Sequence, residues 1–438
     1  MPLTSKRVLV LAAAALKLLA CSSTSDDTGT PSAGAPVSPA AGSGALAGGG
    51  ASSASGPGGT AGSLSAGGTF AGAGSVNVGG TSSAGGGSSG GALSTGGGSA
   101  NGGAASVAGG AGSSAAGAAG SGSSADCTVA PRDPSATAEA KKLLCYLYSI
   151  YGSKVLSGQQ ETSWSNPQGD VDYYVQTVNK HPAILGGDYL YTDGAKPGNN
   201  TSVRARAYWN AGGITMMRYH MGAPPMADTY DNSKGTVANF DNLTKAGTAE
   251  NTSLNSKLDY LAGELEFLQD AKVPVMLVIY HEIDKYAWFW WSKCTGAQFI
   301  DLWKYSVDYI NKTKGIHNVL WVVGYGHDGA MADFWPGKAY ADLGGIDQYD
   351  KGTQPFANLY SGTKAVVGAT MPIPLHETGT IPQPSAMFPT AAPWLLWNVW
   401  ATYQNTAAEG YTWNTPETIK SAYADPHTIT RETLPNLK

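Results

Sequence analysis

The 438-residue chain has few charged residues and few long hydrophobic runs. Charged residues make up 13% of it, the formal net charge is −5, and no basic run or arginine stripe occurs. Proteins that bind nucleic acid concentrate Lys and Arg on one face, so we expect no nucleic-acid partner. After residue 20 no segment approaches the roughly 18 unbroken apolar residues of a membrane-spanning helix, so none is expected.

Tryptophan and charge are nearly absent from a long segment near the start. Between Ser22 and Ala125 there is no tryptophan, the only charged residues are Asp26 and Asp27, and Gly, Ser, Ala and Thr dominate. Such a segment cannot bury enough apolar surface to offset its chain entropy. We therefore predict a signal peptide over residues 1–20, a disordered linker over 21–126 that acts as a tether, and one folded domain over 127–438.

The first 20 residues resemble an export signal. Lys6 and Arg7 precede the apolar stretch Val8–Leu16, which is too short to span a bilayer. The sequence Leu18-Leu19-Ala20-Cys21 is similar to the lipobox of bacterial lipoproteins, although Lys17 interrupts the apolar stretch. The resemblance implies lipidation of Cys21 and a place in the outer membrane or at the cell surface. An ordinary secretory signal would instead release the protein.

Cysteine is scarce, with four residues in the chain. Export permits disulfides, and Cys127 and Cys145 flank one short segment at the start of the folded domain. We expect a disulfide between them, which would pin the beginning of the domain. Their spacing fits no zinc motif. Cys294 would then remain a free thiol.

From Ala136 onward, short apolar runs alternate with helix-like stretches. Thr137–Tyr151, Leu254–Gln269 and Gln298–Asn311 are predicted helices. The eight predicted strands lie at residues 155–158, 183–186, 214–217, 275–279, 319–323, 343–347, 373–375 and 394–397. This pattern favours the α/β class and a single (β/α)8 TIM barrel. A doubly wound sheet is the alternative, but Gly158-Gln159-Gln160-Glu161 is not the Gly-rich phosphate loop expected there.

Polar residues follow the predicted strands, where a barrel carries its chemistry. Those residues are Gln159, Gln160, Asp188, Arg218, His220, His281, Glu282, Tyr325, Asp347, Tyr349, His376, Glu377 and Trp397. Glu282 and Glu377 follow the fourth and seventh strands and can face each other across the barrel mouth. Two carboxyl groups about 5–5.5 Å apart are what retaining glycoside hydrolysis requires.

Two other interpretations concern the same residues. His220, His281 and His376 could bind a metal, but two of them are followed directly by glutamates, and neighbours on a strand point to opposite faces. No His-x-His or HExxH spacing occurs, so we expect neither metal nor cofactor. The run Trp288-Phe289-Trp290-Trp291 could belong to the core, but we expect one or two of its rings to be exposed as a platform for sugars.

The blocks around these residues resemble glycoside hydrolase family 26, the β-mannanase family. The resemblance lies in Pro274–Leu277 with His281-Glu282 and Trp288–Trp291, in Gly345-Ile346-Asp347-x-Tyr349, in Pro374–Gly379, and in Trp397-Asn398. It covers almost all of the folded domain. The resemblance implies that Glu282 is the general acid/base and Glu377 the nucleophile.

The same resemblance implies the sugar contacts. Tyr349 would hydrogen-bond the nucleophile, His220 and His281 would hold the −1 sugar, Trp288 would border the leaving-group side, and Trp397 would stack under the −1 ring. From the mechanism, and not from the resemblance, we also expect Arg218 and Tyr349 to help keep Glu377 ionised. The chain is thus predicted to be a retaining endo-β-1,4-mannanase acting on mannan, galactomannan or glucomannan. We also expect a monomer that is attached to a membrane only through Cys21.

Two departures leave the substrate open. Arg218-Tyr219-His220 stands where a Trp-His pair is common, and His376 takes a position usually held by a smaller or aliphatic residue. The alternatives are the same mechanism on β-1,3-xylan or mixed-linkage β-glucan, and a surface glycan-binding protein without catalysis. Reducing-sugar release separates an enzyme from a binding protein.

Overall fold

A computed structural model describes residues 127–161, 169–190, 200–389, 391–401, 403–408 and 411–438. The predicted signal peptide, the predicted linker and Cys21 lie outside the described residues. At the start of the described part, Cys127 and Cys145 form a disulfide with their Cα atoms 5.8 Å apart. Cys294 is a free cysteine of intermediate burial.

Eight parallel strands close into a barrel in chain order. Numbering all strands along the chain, these are β2 (Gly158–Gln160), β3 (Ile184–Asp188), β4 (Ile214–Arg218), β5 (Val275–Val278), β6 (Val319–Tyr325), β7 (Leu343–Gln348), β8 (Leu375–Thr378) and β9 (Trp397–Val399). Every residue in them is buried, as expected of a parallel sheet covered by helices. The predicted (β/α)8 architecture is confirmed.

Helices surround the barrel. They are α1 (Ala138–Ile150), α2 (Gly169–Val178), α3 (Asn200–Asn210), α4 (Tyr230–Ser233), α5 (Ala249–Asp270), α6 (Gly296–Asp308), α7 (Ala357–Val367), α8 (Pro384–Met387) and α9 (Pro416–Ala424). A π-helical turn, Tyr309–Thr313, continues α6. No helix among the described residues is long and apolar enough to cross a membrane.

The helix α1 shows how local sequence sets these elements. Thr137 caps it, since its hydroxyl accepts a hydrogen bond from the backbone N–H of Ala140. Leu143, Leu144 and Leu147 recur at helical spacing, and all three are fully buried or nearly so. The period of apolar residues therefore predicted both the helix and its buried face.

Three barrel strands begin two or three residues later than predicted, whereas the other five differ by at most two residues at either end. Residues Val155–Leu156 form β1, which pairs with β12 (Thr428–Ile429) outside the barrel, and the barrel strand begins only at Gly158. The seventh and eighth barrel strands begin later than predicted, at Leu375 and Trp397. Apolar runs report burial, whereas a strand's bounds depend on which distant backbone it pairs with. A small hairpin, β10 (Thr406–Ala408) with β11 (Tyr411–Trp413), completes the strands.

Candidate active site

The two predicted catalytic glutamates lie at the carboxyl end of the barrel. Glu377 is inside β8, and Glu282 lies four residues after the end of β5. Glu282 has a φ of 51°, in the left-handed region that a residue with a side chain seldom occupies. Two hydrogen bonds fix the backbone around Glu282. The Ser292 hydroxyl donates to the Glu282 carbonyl at 3.4 Å, and the backbone N–H of Ile283 donates to the Gly324 carbonyl at 3.1 Å. Such a locally strained residue is typical of a functional site.

The carboxyl groups of Glu282 and Glu377 approach each other closely. One oxygen from each of Glu282, Asp347 and Glu377 lies within 4.8 Å of the other two, and all three residues are buried. The spacing matches the separation of about 5–5.5 Å of retaining glycosidases rather than the roughly 6.5–9.5 Å of inverting ones.

Glu377 is held by two donors, one on each oxygen. The Arg218 guanidinium donates to Oε2, and the Tyr349 hydroxyl donates to Oε1. Arg218 is fully buried and also donates to the His376 carbonyl at 2.8 Å, so its orientation is fixed. Burial and the neighbouring charge of Glu377 raise the pKa of Tyr349 well above its ordinary value, so the hydroxyl keeps its proton and stays a donor. This environment favours a charged, immobile Glu377 carboxylate, as a nucleophile requires.

A second set of buried groups consists of Asp188, His220 and His281, the last of which directly precedes Glu282. Asp188 accepts hydrogen bonds from His220 Nδ1 and, at 2.9 Å, from the Leu190 N–H. Burial acts to raise the pKa of Asp188, but attraction to His220 and these hydrogen bonds outweigh it and lower that pKa. His220 Nε2 in turn lies 3.0 Å from His281 Nε2, so one of the two rings donates a hydrogen bond to the other. Asp188 thus orients both histidines at the mouth.

Residues 132–433 match the family described as glycosyl hydrolase family 26. The chain belongs to this family.

Named relatives agree with that assignment. The mannan endo-1,4-beta-mannosidase of Thermothelomyces thermophilus is 30% identical over 318 residues, which are 69% of this chain and 62% of the relative. The mannan endo-1,4-beta-mannosidase of Bacillus subtilis is 26% identical over 278 residues, 58% of this chain and 74% of the relative. The chain thus spans somewhat less than two thirds of the fungal relative and about three quarters of the bacterial one.

Solved structures show the same fold. A GH26-CBM35 beta-(1,4)-mannanase of Podospora anserina superposes with a TM-score of 0.62 at 27% identity, covering 70% of this chain and 69% of that one. A beta-mannanase from a symbiotic protist of the termite Reticulitermes speratus, complexed with gluco-manno-oligosaccharide, has a TM-score of 0.62 at 26% identity. The match covers 70% of this chain and 98% of that one.

In this family 26 chain, Trp397 does not lie with the polar residues at the barrel mouth, which corrects the prediction. Trp397 is fully buried, and its ring lies 6.3 Å from that of Tyr423 on α9. The neighbouring Asn398 points into the barrel, where a Cβ on Gly186 would come within 2.8 Å of its amide nitrogen. Because strand neighbours face opposite sides, Trp397 faces the helices and cannot stack under a sugar at the mouth.

Trp400 takes the place at the mouth that was predicted for Trp397. It follows β9, is partly exposed, and its ring lies 5.1 Å from the Arg218 guanidinium and 6.1 Å from the His220 ring. The residue shares the parity of Asn398, so strand alternation was the signal that could have found it.

The aromatic run after Glu282 divides between the core and the site. Phe289, Trp290 and Trp291 are buried, with Phe289 stacked on Trp291 at 4.6 Å between centroids. Trp288 is partly exposed, with the Lys234 ammonium 5.7 Å from its ring. One ring of the four is therefore available for a sugar, at the lower end of the one or two expected.

Among the described residues, the group of side chains that could approach a cation is Glu282, Asp347 and Glu377. Arg218 and Tyr349 already donate to the two oxygens of Glu377, so its charge is balanced by the protein. The alternative histidine site is divided, since His220 Nδ1 binds Asp188 and His376 Nε2 lies 3.1 Å from the Tyr325 carbonyl. That no metal or cofactor takes part stays a prediction.

The structure therefore brings together most of the predicted site residues. Around one mouth it places Arg218, His220, His281, Glu282, Trp288, Tyr349 and Glu377. Sequence reasoning placed Asp347 only among the strand-end residues, without a role, and it missed Trp400 and His327. His327 comes two residues after β6, where a loop residue carries no periodic signal.

Proposed function

We propose that this family 26 chain is a retaining endo-β-1,4-mannanase that cleaves mannan-type polysaccharides. The observation that carries the proposal is the buried pair Glu282 and Glu377, whose oxygens approach within 4.8 Å while Arg218 and Tyr349 hold Glu377. The named relatives in Thermothelomyces thermophilus and Bacillus subtilis, both mannan endo-1,4-beta-mannosidases, support mannan as the substrate.

The mechanism follows from the two environments. In the first step Glu377 attacks the anomeric carbon while Glu282 gives its proton to the departing glycosidic oxygen. Two carboxyl groups this close are seldom ionised together, because their negative charges repel each other. Arg218 favours the charge on Glu377, so Glu282 keeps its proton. In the second step Glu282 takes a proton from water, the water attacks the glycosyl-enzyme, and Glu377 is released. Arg218 and Tyr349 orient Glu377 throughout.

The groups around the pair would bind the sugars. His220 and His281, fixed by Asp188, offer hydrogen-bonding nitrogens to the −1 sugar. The partly exposed rings of Trp400 and Trp288 would stack on sugar faces, Trp400 near the nucleophile side and Trp288 toward the leaving group. The fused face of an indole suits the apolar side of a hexose ring.

The decisive test is reducing-sugar release from mannan, glucomannan, β-1,3-xylan and mixed-linkage β-glucan, with Glu377→Ala as the control. Activity on mannan that the variant lacks would support reaction and substrate together. Activity on another polymer would keep the mechanism and replace the substrate. Binding without any release, in wild type as in the variant, would refute the enzyme and favour a surface glycan-binding protein.

Adding azide to the two alanine variants distinguishes the roles of Glu282 and Glu377. Glu282→Ala should still form the glycosyl-enzyme from a substrate with a good leaving group, and azide should accelerate its turnover. Glu377→Ala should gain no such turnover with retention of configuration. Near-normal turnover by Glu377→Ala would contradict the assignment.

We also propose that the chain is an exported lipoprotein, anchored through Cys21 and tethered by residues 21–126. The support is the lipobox-like sequence ending at Cys21 and the Gly/Ser-rich composition that follows. A flexible coil of about 100 residues would span roughly 50–60 Å, enough to reach bulky polysaccharide. Fatty-acid labelling that Cys21→Ala abolishes is the expected result, whereas an unlabelled protein in the medium would show plain secretion. Sedimentation should show a monomer once the anchor is removed.

A further inference from the structure

His327 lies at the rim of the three carboxyl groups and has no part in the mechanism above. It comes two residues after β6, and its side chain is 22% exposed. Its Nδ1 is 3.9 Å from Oδ1 of Asp347, and its Nε2 is 3.5 Å from Oδ1 of Asp328. The first distance is that of a charge contact rather than of a direct hydrogen bond.

The backbone that carries His327 is fixed against the segment that follows Glu282. Gly326 N–H donates to the Ile283 carbonyl at 2.8 Å, and Ile283 N–H donates to Gly324 O at 3.1 Å. The approach is close, since a Cβ on Gly326 would lie only 2.8 Å from the Cβ of Asp284. The position of His327 relative to Glu282 is therefore set by hydrogen bonds and packing.

The three neighbouring carboxyl groups must share protons. With oxygens of Glu282, Asp347 and Glu377 within 4.8 Å of one another in a buried site, the fully ionised state is strongly disfavoured. Arg218 and Tyr349 favour charge on Glu377. The shared proton then lies either on Glu282 or on Asp347. On Glu282 it can be donated to the glycosidic oxygen, whereas on Asp347 it takes no part in the proposed reaction.

We infer that His327 is a positioning residue that favours the ionised form of Asp347 and so directs the shared proton to Glu282. The inference rests on the proposed function, because it assumes that Glu282 is the acid. Acidic groups from three segments lie next to the His327 loop: Asp328 on the loop itself, Asp284 beneath Gly326, and Asp347 on β7. A basic side chain among them lowers the free energy of a charged Asp347.

The proton balance of the reaction is unchanged. As the glycosidic C–O bond breaks, the Glu282 proton moves to the leaving oxygen and Glu377 bonds to the anomeric carbon. Water then returns a proton to Glu282. His327 neither gives nor takes a proton in these steps and acts only through Asp347.

Leaving-group dependence tests this role, because a leaving group that departs unaided needs no proton. We would compare wild type, His327→Gln and His327→Lys on mannan, on phenyl β-mannobioside and on dinitrophenyl β-mannobioside. For His327→Gln, kcat/KM should fall about tenfold on mannan and on the phenyl substrate, part of the roughly 10²–10⁴-fold that general acid catalysis supplies. It should change little on the dinitrophenyl substrate. His327→Lys, which places a basic side chain at the same position, should recover most of the loss.

The matched control is His317, at the opposite end of the same strand β6. It is also partly exposed, and its Nδ1 lies 2.7 Å from an Asp133 carboxylate oxygen. His317→Gln should match wild type on all three substrates. Equal losses by His327→Gln on the two aryl substrates would indicate a structural effect and overturn the inference, as would no loss on either.

A second variant shows whether His327 acts through Asp347. In an Asp347→Asn background, which has no carboxyl group to compete for the proton, His327→Gln should cause no further change in leaving-group dependence. An undiminished effect there would also overturn the inference. Failure of the proposed function would look different, because wild type itself would then leave mannan uncleaved or Glu377→Ala would retain activity.

Discussion

Replacing Arg218 by Met removes the cation that faces Glu377, the proposed nucleophile, and leaves a side chain of comparable length. The guanidinium makes two hydrogen bonds, one to Oε2 of Glu377 and one to the His376 carbonyl at 2.8 Å. The side chains of Arg218 and Glu377 are 0% and 5% exposed, so water cannot readily take its place. The variant therefore leaves a buried carboxylate and a buried carbonyl without this donor.

The cost can be estimated from that geometry. Removing one member of a buried ion pair destabilises a protein by about 3–5 kcal/mol, since the remaining charge stays desolvated. Each hydrogen bond to a charged group contributes about 1.5–3 kcal/mol, so loss of the one that orients Glu377 should lower kcat by roughly 10- to 150-fold. Arg218→Lys should lie between, because it keeps the charge but cannot donate to both acceptors in the same geometry.

Urea unfolding followed by tryptophan fluorescence, together with mannan hydrolysis, measures both effects. Arg204→Met is the matched control, since Arg204 makes a two-point ion pair with Glu161 at 2.7 and 3.0 Å but is 21% exposed. It should lose less stability and keep kcat per folded molecule. Adding Glu377→Gln to Arg218→Met should recover part of the stability. An Arg218→Met protein with wild-type urea midpoint and slope would refute the reasoning.

Three further predictions concern single side chains. Tyr349→Phe should lower kcat on mannan about 10- to 100-fold with a smaller change in KM, because it loses the hydrogen bond to Glu377, the proposed nucleophile. Burial raises the pKa of Glu264 to about 7 from 4.5, so the folded protein binds the proton more tightly than the unfolded chain and stability should decline as pH rises from about 4.5 to 7. Glu264→Gln should make that decline smaller in urea unfolding measured across the pH range, while Glu161 and Asp342, whose pKa values burial raises to about 7 and about 6, keep contributing to it. Trp400→Ala should impair mannan hydrolysis more than stability. Trp397→Ala should instead lower the free energy of unfolding by about 3–5 kcal/mol, because it removes a buried ring from the core. Equal losses of stability in the two variants would contradict this prediction.

The architecture could be predicted because its signals are local. The alternation of apolar runs with helical periods along residues 136–438 predicted eight parallel strands, and the eight barrel strands follow that order. Helix α1 begins and ends within a residue of its predicted bounds, because a cap and an apolar period specify it. Polar residues at strand ends likewise identified Glu282 and Glu377, since every parallel strand of a barrel ends at the same mouth.

The strand bounds could not be predicted from the same runs. Val155–Leu156 is as apolar as a barrel strand, yet it pairs with Thr428–Ile429, more than 270 residues away in the chain, as the register of the pair shows. Trp397 and Trp400 are both aromatic residues at the end of a strand, and only the pairing of β9 with its neighbours decides which of them faces the mouth. Composition carries no information about either choice.

By itself, then, the amino-acid sequence determined the barrel and the end of the barrel at which Glu282 and Glu377 lie, because periodicity and strand-end position are properties of neighbouring residues. Only the tertiary structure decided the approach of three carboxyl groups to within 4.8 Å of one another, the donors on Glu377, and the contact of His327 with Asp347. These depend on barrel closure and on the register between strands. Both are set by long-range backbone pairing and side-chain packing, which a one-dimensional pattern does not record.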